Sequence, residues 1–274
     1  MSKFQRIYWS KKFDWKDYSK LYNSYCRSKD NYYLQSSTFL VNSIKLSNSS
    51  KVIDLGCGTG ALTYLLLKKY PKINILAIDL SKEMLFYYEN NFKKEITRKQ
   101  IKIINGNAEE INRYIKEKYD LIFISSALWD MEIEKTFKNL SRILKKNGKI
   151  IFNLPALVIE KEKGFIFFIE HFFRQTLNSN MIYRRIKLDY LKKVFTKYSF
   201  RILNIKEYSF KMSKSNIKKF FNLLKYRYPF ILFPKNMPYD KKLRKCEKIF
   251  NESLKYIPKE GIEENGFLFI IGKK

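Results

Sequence analysis

A short glycine-rich segment between two acidic residues is the part of this sequence best suited to bind a ligand. Asp54 precedes Leu-Gly-Cys-Gly-Thr-Gly, in which Gly56, Gly58 and Gly60 alternate with other residues, and a second acid, Asp79, comes 19 positions after the last glycine. Glycines permit a tight turn and let a ligand lie against the backbone, and a carboxylate at this distance can hold the two hydroxyls of a ribose. The pattern predicts a nucleoside site.

The spacing of the glycines also indicates which kind of nucleoside is bound. A dinucleotide fold uses G-x-G-x-x-G for its pyrophosphate, whereas this sequence has G-x-G-x-G. Asp54 stands where its negative charge would meet an incoming phosphate, which disfavours pyrophosphate. The arrangement suits a cationic ligand without phosphates that carries adenosine, an amino-acid tail and a positive sulfur.

The elements around this segment alternate regularly between strand and helix. Short isoleucine-rich runs bounded by turn residues predict five buried strands, at 51–55, 73–79, 101–106, 120–125 and 148–154. Helical patterns lie between them, at 61–69, 82–94, 109–118 and 131–146. This alternation is typical of a parallel, doubly wound α/β sheet.

The flanking regions predict additional helices and two final strands. Residues 14–46 are expected to form two helices. After Pro155 the patterns indicate helices at 188–198, 214–227 and 240–256 and strands at 200–210 and 266–272. Three prolines in the segment 229–238 forbid one continuous helix across it.

Five motifs in register resemble those of class I S-adenosylmethionine-dependent methyltransferases. VIDLGCGTG is similar to their first motif and AIDLSKEML to their second. Further along, G-N-A-E (106–109), DLIFISSALWD and LKKNGKIIF also have counterparts in the family. The resemblance is close over residues 48–154 and loose elsewhere. It implies a seven-stranded, doubly wound, Rossmann-like methyltransferase sheet with its last strand antiparallel and with helical lid insertions. Asn107 stands where the family usually has Asp, and Asn147-Gly148 replaces Pro-Gly-Gly.

The resemblance implies S-adenosyl-L-methionine as the cofactor and assigns contacts to it. These are Gly56, Gly58 and Gly60 around the methionine moiety, Asp79 on the ribose, Leu80 and Met84 against adenine, Asn107 and Ala108 at the adenine edge, and Ser125 and Ser126 beside the sulfonium. Asp54 and Cys57 belong to the same loop, where Cys57 is expected to be an inert small residue. Arg27 is either a partner of the methionine carboxylate or a solvated surface residue. No metal ligands are predicted.

The single histidine, His171, is the candidate catalytic base. An imidazole can take a proton from a hydroxyl acceptor at neutral pH. The alternative is a helix residue packed among Phe167, Phe168, Phe172 and Phe173, because a carboxylate acceptor would need no base. The aromatic segment 165–173 is correspondingly either ordinary core or the wall of an acceptor pocket.

The predicted organisation is one methyltransferase domain over residues 1–274. Residues 1–46 form an N-terminal helical cap, 48–154 the cofactor-binding core, and 155–185 and 211–262 the insertions that build a lid and an acceptor pocket. Lids exclude bulk water and select small acceptors. We therefore expect methylation of a small molecule, at an oxygen rather than at nitrogen or carbon.

The formal charge of +29 permits a polyanionic partner without requiring one. Lysine dominates the basic residues, as in a chain of AT-rich codon bias, and residues 211–259 carry 14 Lys and Arg against three acids. This stretch is either a solvated face or the docking site for an acidic acyl carrier protein, as in the malonyl-acyl-carrier-protein O-methyltransferases that the lid architecture loosely resembles. An RNA or DNA methyltransferase is the alternative. It is disfavoured because an N-P-P-Y-like loop is absent after the fourth strand. A catalytically silent binding protein is a third hypothesis.

The sequence predicts neither a membrane span nor a disulfide framework. The most apolar stretch, Phe165 to Phe173, is interrupted by Glu170 and His171, and three cysteines cannot form such a framework. No apolar stretch near the start resembles a secretory signal. We expect a cytoplasmic location.

Overall fold

Seven strands form one sheet in the computed structural model, which describes residues 15–159, 163–177, 186–234 and 236–274. The strands are β1 (Lys51–Leu55), β2 (Asn74–Asp79), β3 (Ile101–Asn105), β4 (Tyr119–Ile124), β5 (Leu144–Pro155), β6 (Phe200–Met212) and β7 (Ile262–Lys273). Their order is β3-β2-β1-β4-β5-β7-β6. The first five strands pair in parallel, and β7 runs antiparallel between β5 and β6. This confirms the predicted fold class.

Helices cover both faces of the sheet. In the described ranges they are α1 (Trp15–Cys26), α2 (Tyr32–Asn42), α3 (Ala61–Lys69), α4 (Lys82–Asn91), α5 (Lys93–Thr97), α6 (Ile133–Ile143), α7 (Phe165–Leu177), α8 (Leu188–Lys197), α9 (Lys214–Leu232) and α10 (Tyr239–Ser253). One apolar cluster contains residues of the first four helices and of α7, α9 and α10. The other contains residues of α6 and α8. Because both faces are buried, the central strands have continuous apolar sequences.

Several helix predictions differ from the structure. The helix expected at 131–146 ends at Ile143, because β5 begins at Leu144. The helix expected at 109–118 is a 3₁₀ turn over Ala108–Arg113, interrupted at Glu110, where φ is −130°. The helix expected to end at 227 continues to Leu232 with Pro229 inside it. Tyr228 is buried against the rings of Phe173 and Phe250, and this packing holds the segment helical although the proline lacks an N–H donor.

The predicted lid corresponds to a pair of helices between the last two strands. β6 and β7 pair along their length from Phe200 and Lys273 to Met212 and Ile262, and α9 and α10 fill the connection between them. Helix α9 packs against α10 and against α1 of the predicted cap. The lid therefore meets the N-terminal helices above the carboxyl ends of the parallel strands.

The aromatic helix α7 belongs to the core under this lid. Phe165 stacks on Phe221 with ring centroids 5.9 Å apart, and Phe173 meets Phe250 at 5.0 Å. The core interpretation of the aromatic segment is thus the one the structure shows. Residues 1–14 of the cap, 160–162 and 178–185 of the first insertion, and 235 of the second lie outside the described residues.

No helix within the described ranges has the combination of length and apolar character needed to cross a membrane.

Candidate functional site

The glycine loop after β1 forms the floor of a cavity at the carboxyl edge of the sheet. Gly56 and Gly58 line this cavity, and their φ angles of 72° and 54° lie in the left-handed region. A Cβ on Gly56 would stand 2.8 Å from the Cβ of Ala127, so a larger residue would push away the loop that follows β4. Gly60 is absent from the lining. It starts α3 and packs against the ring of Phe92.

Asp54 lies beneath the glycine loop and outside the cavity lining. Its Oδ2 accepts a hydrogen bond of 2.7 Å from the Thr63 hydroxyl, which in turn accepts one of 2.8 Å from the Tyr88 hydroxyl. Burial raises the pKa of Asp54 to about 7. The carboxyl group therefore joins β1 to α3 and α4 and positions the loop from below, which differs from the direct ligand contact that the sequence suggested.

Asp79 lines the cavity where β2 ends. Its Oδ2 accepts the Gly58 N–H at 2.8 Å and its Oδ1 accepts the Ser81 N–H at 2.9 Å. Burial raises the pKa of Asp79, while these backbone donors act in the opposite direction. Each carboxylate oxygen has a second lone pair, so the group can also accept hydrogen bonds from two vicinal hydroxyls.

A small apolar and amide surface closes one end of the cavity. Leu80, Met84, Gly106, Asn107 and Ala108 all contribute to its lining. The Asn107 side chain accepts the Glu109 N–H at 2.9 Å and so caps the following 3₁₀ turn. The four predicted adenine contacts in this group are therefore together in space, at the ends of β2 and β3.

The loop after β4 brings one of the two predicted serines to the cavity. Ser126 lines it with a φ of 52°, a conformation costly for a residue with a Cβ. Asn153, fully buried on β5, accepts the Ser126 N–H at 2.7 Å and donates to Tyr208 Oη at 2.9 Å. Ser125 lies outside the lining and hydrogen-bonds to Ser37 of α2. Sequence reasoning did not identify Asn153 as the residue that holds Ser126 in place. Its position near the end of β5 was the only indication in the sequence.

A second wall of the cavity comes from the cap and the lid. It consists of Trp15, Tyr18, Tyr22, Tyr33 and Arg227. Arg227 Nη2 donates a 2.7 Å hydrogen bond to Oδ1 of Asp130, which lines the cavity from the loop after β4. Burial lowers the pKa of Arg227 to about 9. Sequence reasoning missed Trp15, Tyr18, Tyr22 and Arg227, because aromatic residues and one arginine in helices are ordinary core and surface residues.

Three predicted residues lie away from the cavity. Arg27 donates to the side chain of Asn91. Cys57 is buried below the loop, and burial raises the pKa of its thiol well above the ordinary value. His171 is exposed on α7, with its ring 5.9 Å from that of Phe167. None of the three is part of the lining, so this structure gives His171 no contact with a substrate in the cavity.

Residues 52–148 match a family model described as a methyltransferase domain. A malonyl-[acyl-carrier protein] O-methyltransferase of Priestia megaterium is 38% identical over 103 residues, which are 37% of this chain and 35% of that protein. Another, from Ilyobacter polytropus, is 34% identical over 104 residues, or 37% of this chain and 38% of that protein. The chain thus spans little more than a third of the length of these relatives.

Solved structures of low identity share the fold over nearly the whole chain. A phosphoethanolamine N-methyltransferase 2 of Haemonchus contortus, solved with S-adenosylhomocysteine, has a TM-score of 0.55 at 15% identity and covers 94% of this chain and 60% of its own. The [4+2]-cyclase SpnF has a TM-score of 0.61 at 14% identity, covering 93% and 92%. These likenesses show the fold alone.

The strand order, the antiparallel β7 and the glycine-loop cavity define a Rossmann-like methyltransferase fold. The matched domain, residues 52–148, contains the glycine loop and Asp79 of this cavity and is similar to S-adenosylmethionine-dependent methyltransferases.

Proposed function

We propose that this protein transfers the methyl group of S-adenosylmethionine to an oxygen atom of a small acceptor that is presented on a carrier protein. The observation that carries this proposal is the composition of one cavity. Its lining combines the glycine loop and Asp79 with aromatic residues of the cap and Arg227 of the lid. A cofactor on the floor and a small acceptor under the wall would be enclosed together.

The residues present fit the proposed cofactor. Gly56 and Gly58 leave the backbone open to close approach, Asp79 supplies acceptors for ribose hydroxyls, and Leu80 and Met84 offer an apolar surface to a purine. When bound, the cofactor supplies a methyl group on a positively charged sulfur. The residues of the chain hold and align the two reactants and exclude water, and such alignment can contribute about 7–11 kcal/mol.

A carboxylate oxygen is the acceptor best supported by the site. The sequence contains one histidine, and it lies outside the cavity lining. A carboxylic acid with an ordinary pKa near 4 is ionised at neutral pH and can attack the methyl group without losing a proton. The two relatives named above methylate malonyl groups on an acyl carrier protein, according to their names, and this agrees with such an acceptor.

One face of α10 supports a carrier-bound acceptor. Its buried side packs through Cys246, Ile249 and Phe250 among others, whereas its exposed side presents a basic face that we define by four residues, Lys241, Arg244, Lys245 and Lys248. Acyl carriers are acidic, and complementary charge steers association. The nucleic-acid alternative has no comparable support, because neither the matched domain nor the relatives and structures named above concern nucleic acid.

The proposal is tested in two stages. Calorimetry first measures binding of S-adenosylmethionine and S-adenosylhomocysteine. Methyl-labelled cofactor is then incubated with a malonyl thioester, with malonyl-acyl-carrier protein and with RNA. We expect label in the malonyl compounds. Label in RNA would support the alternative, and tight binding of a nicotinamide dinucleotide with no heat from the sulfonium compound would overturn the assignment of the cofactor.

A further inference from the structure

Arg227 of the lid places a positively charged side chain in the lining of the cavity. Helix α9 of the lid carries it across to the loop after β4. Its side chain is only 18% exposed and faces the same cavity as the glycine loop. Burying a guanidinium is costly unless its charge is paired and hydrogen-bonded, so this position requires an anionic partner.

The charges of the cavity single out this residue. Among the described residues that line it, Asp79 and Asp130 are the acids and Arg227 is the sole cation. Asp130 accepts one Nη2–H at 2.7 Å through a single oxygen and retains 37% side-chain exposure. A guanidinium presents five N–H donors in a planar fork that matches a carboxylate. Asp130 therefore holds one edge of a fork whose shape and charge suit a carboxylate.

Its location separates Arg227 from the residues that fit the cofactor. Those residues follow β1, β2 and β3, on the floor and at the end of the cavity. Arg227 comes from the second wall, which the cap and the lid form, together with Tyr18 of α1, whose ring lies 6.5 Å from that of Tyr226. A group held by Arg227 would share the cavity with a cofactor on the floor.

We infer that Arg227 binds the carboxylate of an anionic acceptor and that Asp130 is the positioning residue that holds the guanidinium in place. This inference rests on the proposed function and narrows its acceptors to anions. In the reaction one carboxylate oxygen forms a bond to the methyl carbon, the carbon–sulfur bond breaks, and sulfur keeps the electron pair. No proton is released, and the neutral ester that results no longer pairs with Arg227 as an anion.

The test uses the full chain, S-malonyl-N-acetylcysteamine as acceptor and S-adenosylhomocysteine as the cofactor probe. Replacing Arg227 with glutamine should raise KM for the malonyl thioester by about 10- to 100-fold, because a hydrogen-bonded charge pair is lost. Binding of S-adenosylhomocysteine should change by less than about threefold. Arg227→Lys should recover part of the loss, since it keeps the charge without the fork.

The matched variant Asp130→Asn distinguishes recognition of the acceptor by Arg227 from a purely structural role of the Arg227–Asp130 ion pair. Both Arg227→Gln and Asp130→Asn break the same ion pair, but only the first removes the positive charge. We expect KM to rise by less than about fivefold in Asp130→Asn. An equal rise in KM in the two variants would show that the ion pair only holds the structure together, and it would overturn the inference.

Two further outcomes would also overturn it. A loss of S-adenosylhomocysteine binding in Arg227→Gln with unchanged KM would assign the arginine to the methionine carboxylate. If the wild-type protein binds S-adenosylhomocysteine but neither binds nor methylates malonyl or succinyl thioesters, the acceptor is not a carboxylate. The first outcome overturns this inference alone and leaves the proposed function intact, whereas the second also removes the carboxylate acceptor of the proposed function and leaves only the cofactor assignment.

Discussion

Asp54 and Asp79 show how two similar residues in one motif acquire different tasks. Both are aspartates near strand ends beside the glycine loop, Asp54 buried and Asp79 half-buried. Asp54 bonds to the Thr63 hydroxyl beneath the loop, whereas Asp79 accepts the Gly58 and Ser81 N–H groups at the cavity surface. The side of the loop on which each carboxylate lies determines whether it only supports the backbone or also faces the cavity.

This difference predicts unequal effects on cofactor binding. Asp79→Ala should weaken binding of S-adenosylhomocysteine by about 1–3 kcal/mol, because ribose hydroxyls lose their acceptor. Calorimetry measures the change directly. Asp54→Asn is the matched control, since it removes a carboxyl from the same loop outside the cavity and resembles the protonated form of a group whose pKa is about 7. Equal losses in both variants would contradict the placement of the ribose on Asp79.

At the scale of elements, the buried carboxyl group of Glu264 joins β7 to the start of α7. Oε2 of Glu264 accepts the Ile166 N–H at 3.0 Å and so satisfies a donor in the first turn of that helix. Burial raises the pKa of Glu264 to about 8 from an ordinary value of 4.5, against the opposing effect of its backbone donors. The folded state therefore keeps this proton at pH values where the unfolded chain has released it.

A pH dependence of stability follows from this raised pKa. Between pH 4.5 and about 8 the wild-type protein should lose free energy of unfolding, by at most about 1.4 kcal/mol per pH unit from this group. Glu264→Gln should lack this loss, so its stability relative to wild type rises across the interval in urea titrations. Glu263 is the exposed neighbour of Glu264, so Glu263→Gln is the control. Its stability should depend on pH as that of the wild type does. Identical profiles for all three proteins would refute the prediction.

The basic face of α10 makes a separate prediction about the carrier. Lys241→Glu combined with Lys248→Glu should lower kcat/KM for malonyl-acyl-carrier protein about tenfold or more, with a weakened salt dependence, and leave the free malonyl thioester unaffected. Steady-state kinetics at two ionic strengths provide the measurement. Lys192→Glu with Lys193→Glu reverses two exposed charges on α8, across the sheet, as a control. An equal fall in kcat/KM with both pairs of substitutions would show that the net charge of the protein matters, and not a docking face on α10.

At the scale of the whole molecule, the cavity is assembled from elements far apart in the chain. Cap helix α1, the loops after β1 to β4 and lid helix α9 all contribute to it. A ligand that binds there contacts both the sheet and its covering helices, and so it should stabilise the folded protein as a unit.

Thermal unfolding measures that effect. At about 100 times its Kd, S-adenosylhomocysteine should add about 2.7 kcal/mol of stability and raise Tm by about 5 °C. Differential scanning fluorimetry across a ligand series checks the dependence on concentration. A nicotinamide dinucleotide is the control and should leave Tm unchanged, and a shift of Tm with the dinucleotide alone would contradict the identity of the cavity.

The sequence by itself was sufficient for the sheet and for the floor of the cavity. All seven predicted strands are present, and Gly56, Gly58, Asp79 and Asn107 lie together in the lining of one cavity. These features depend on interactions close in sequence: a turn that requires glycine, a carboxylate at a strand end, and apolar runs buried on both faces.

Only the tertiary structure decided which remote residues complete the site. Arg27 and His171 had suitable chemistry but lie outside the lining, whereas Arg227 and Asp130, close to 100 residues apart in the chain, meet within it at 2.7 Å. Asn153 likewise reaches Ser126 across neighbouring strands. A side chain's type states what it can bind, but the packing of lid and cap against the sheet determines what it faces, and that packing depends on contacts distant in sequence.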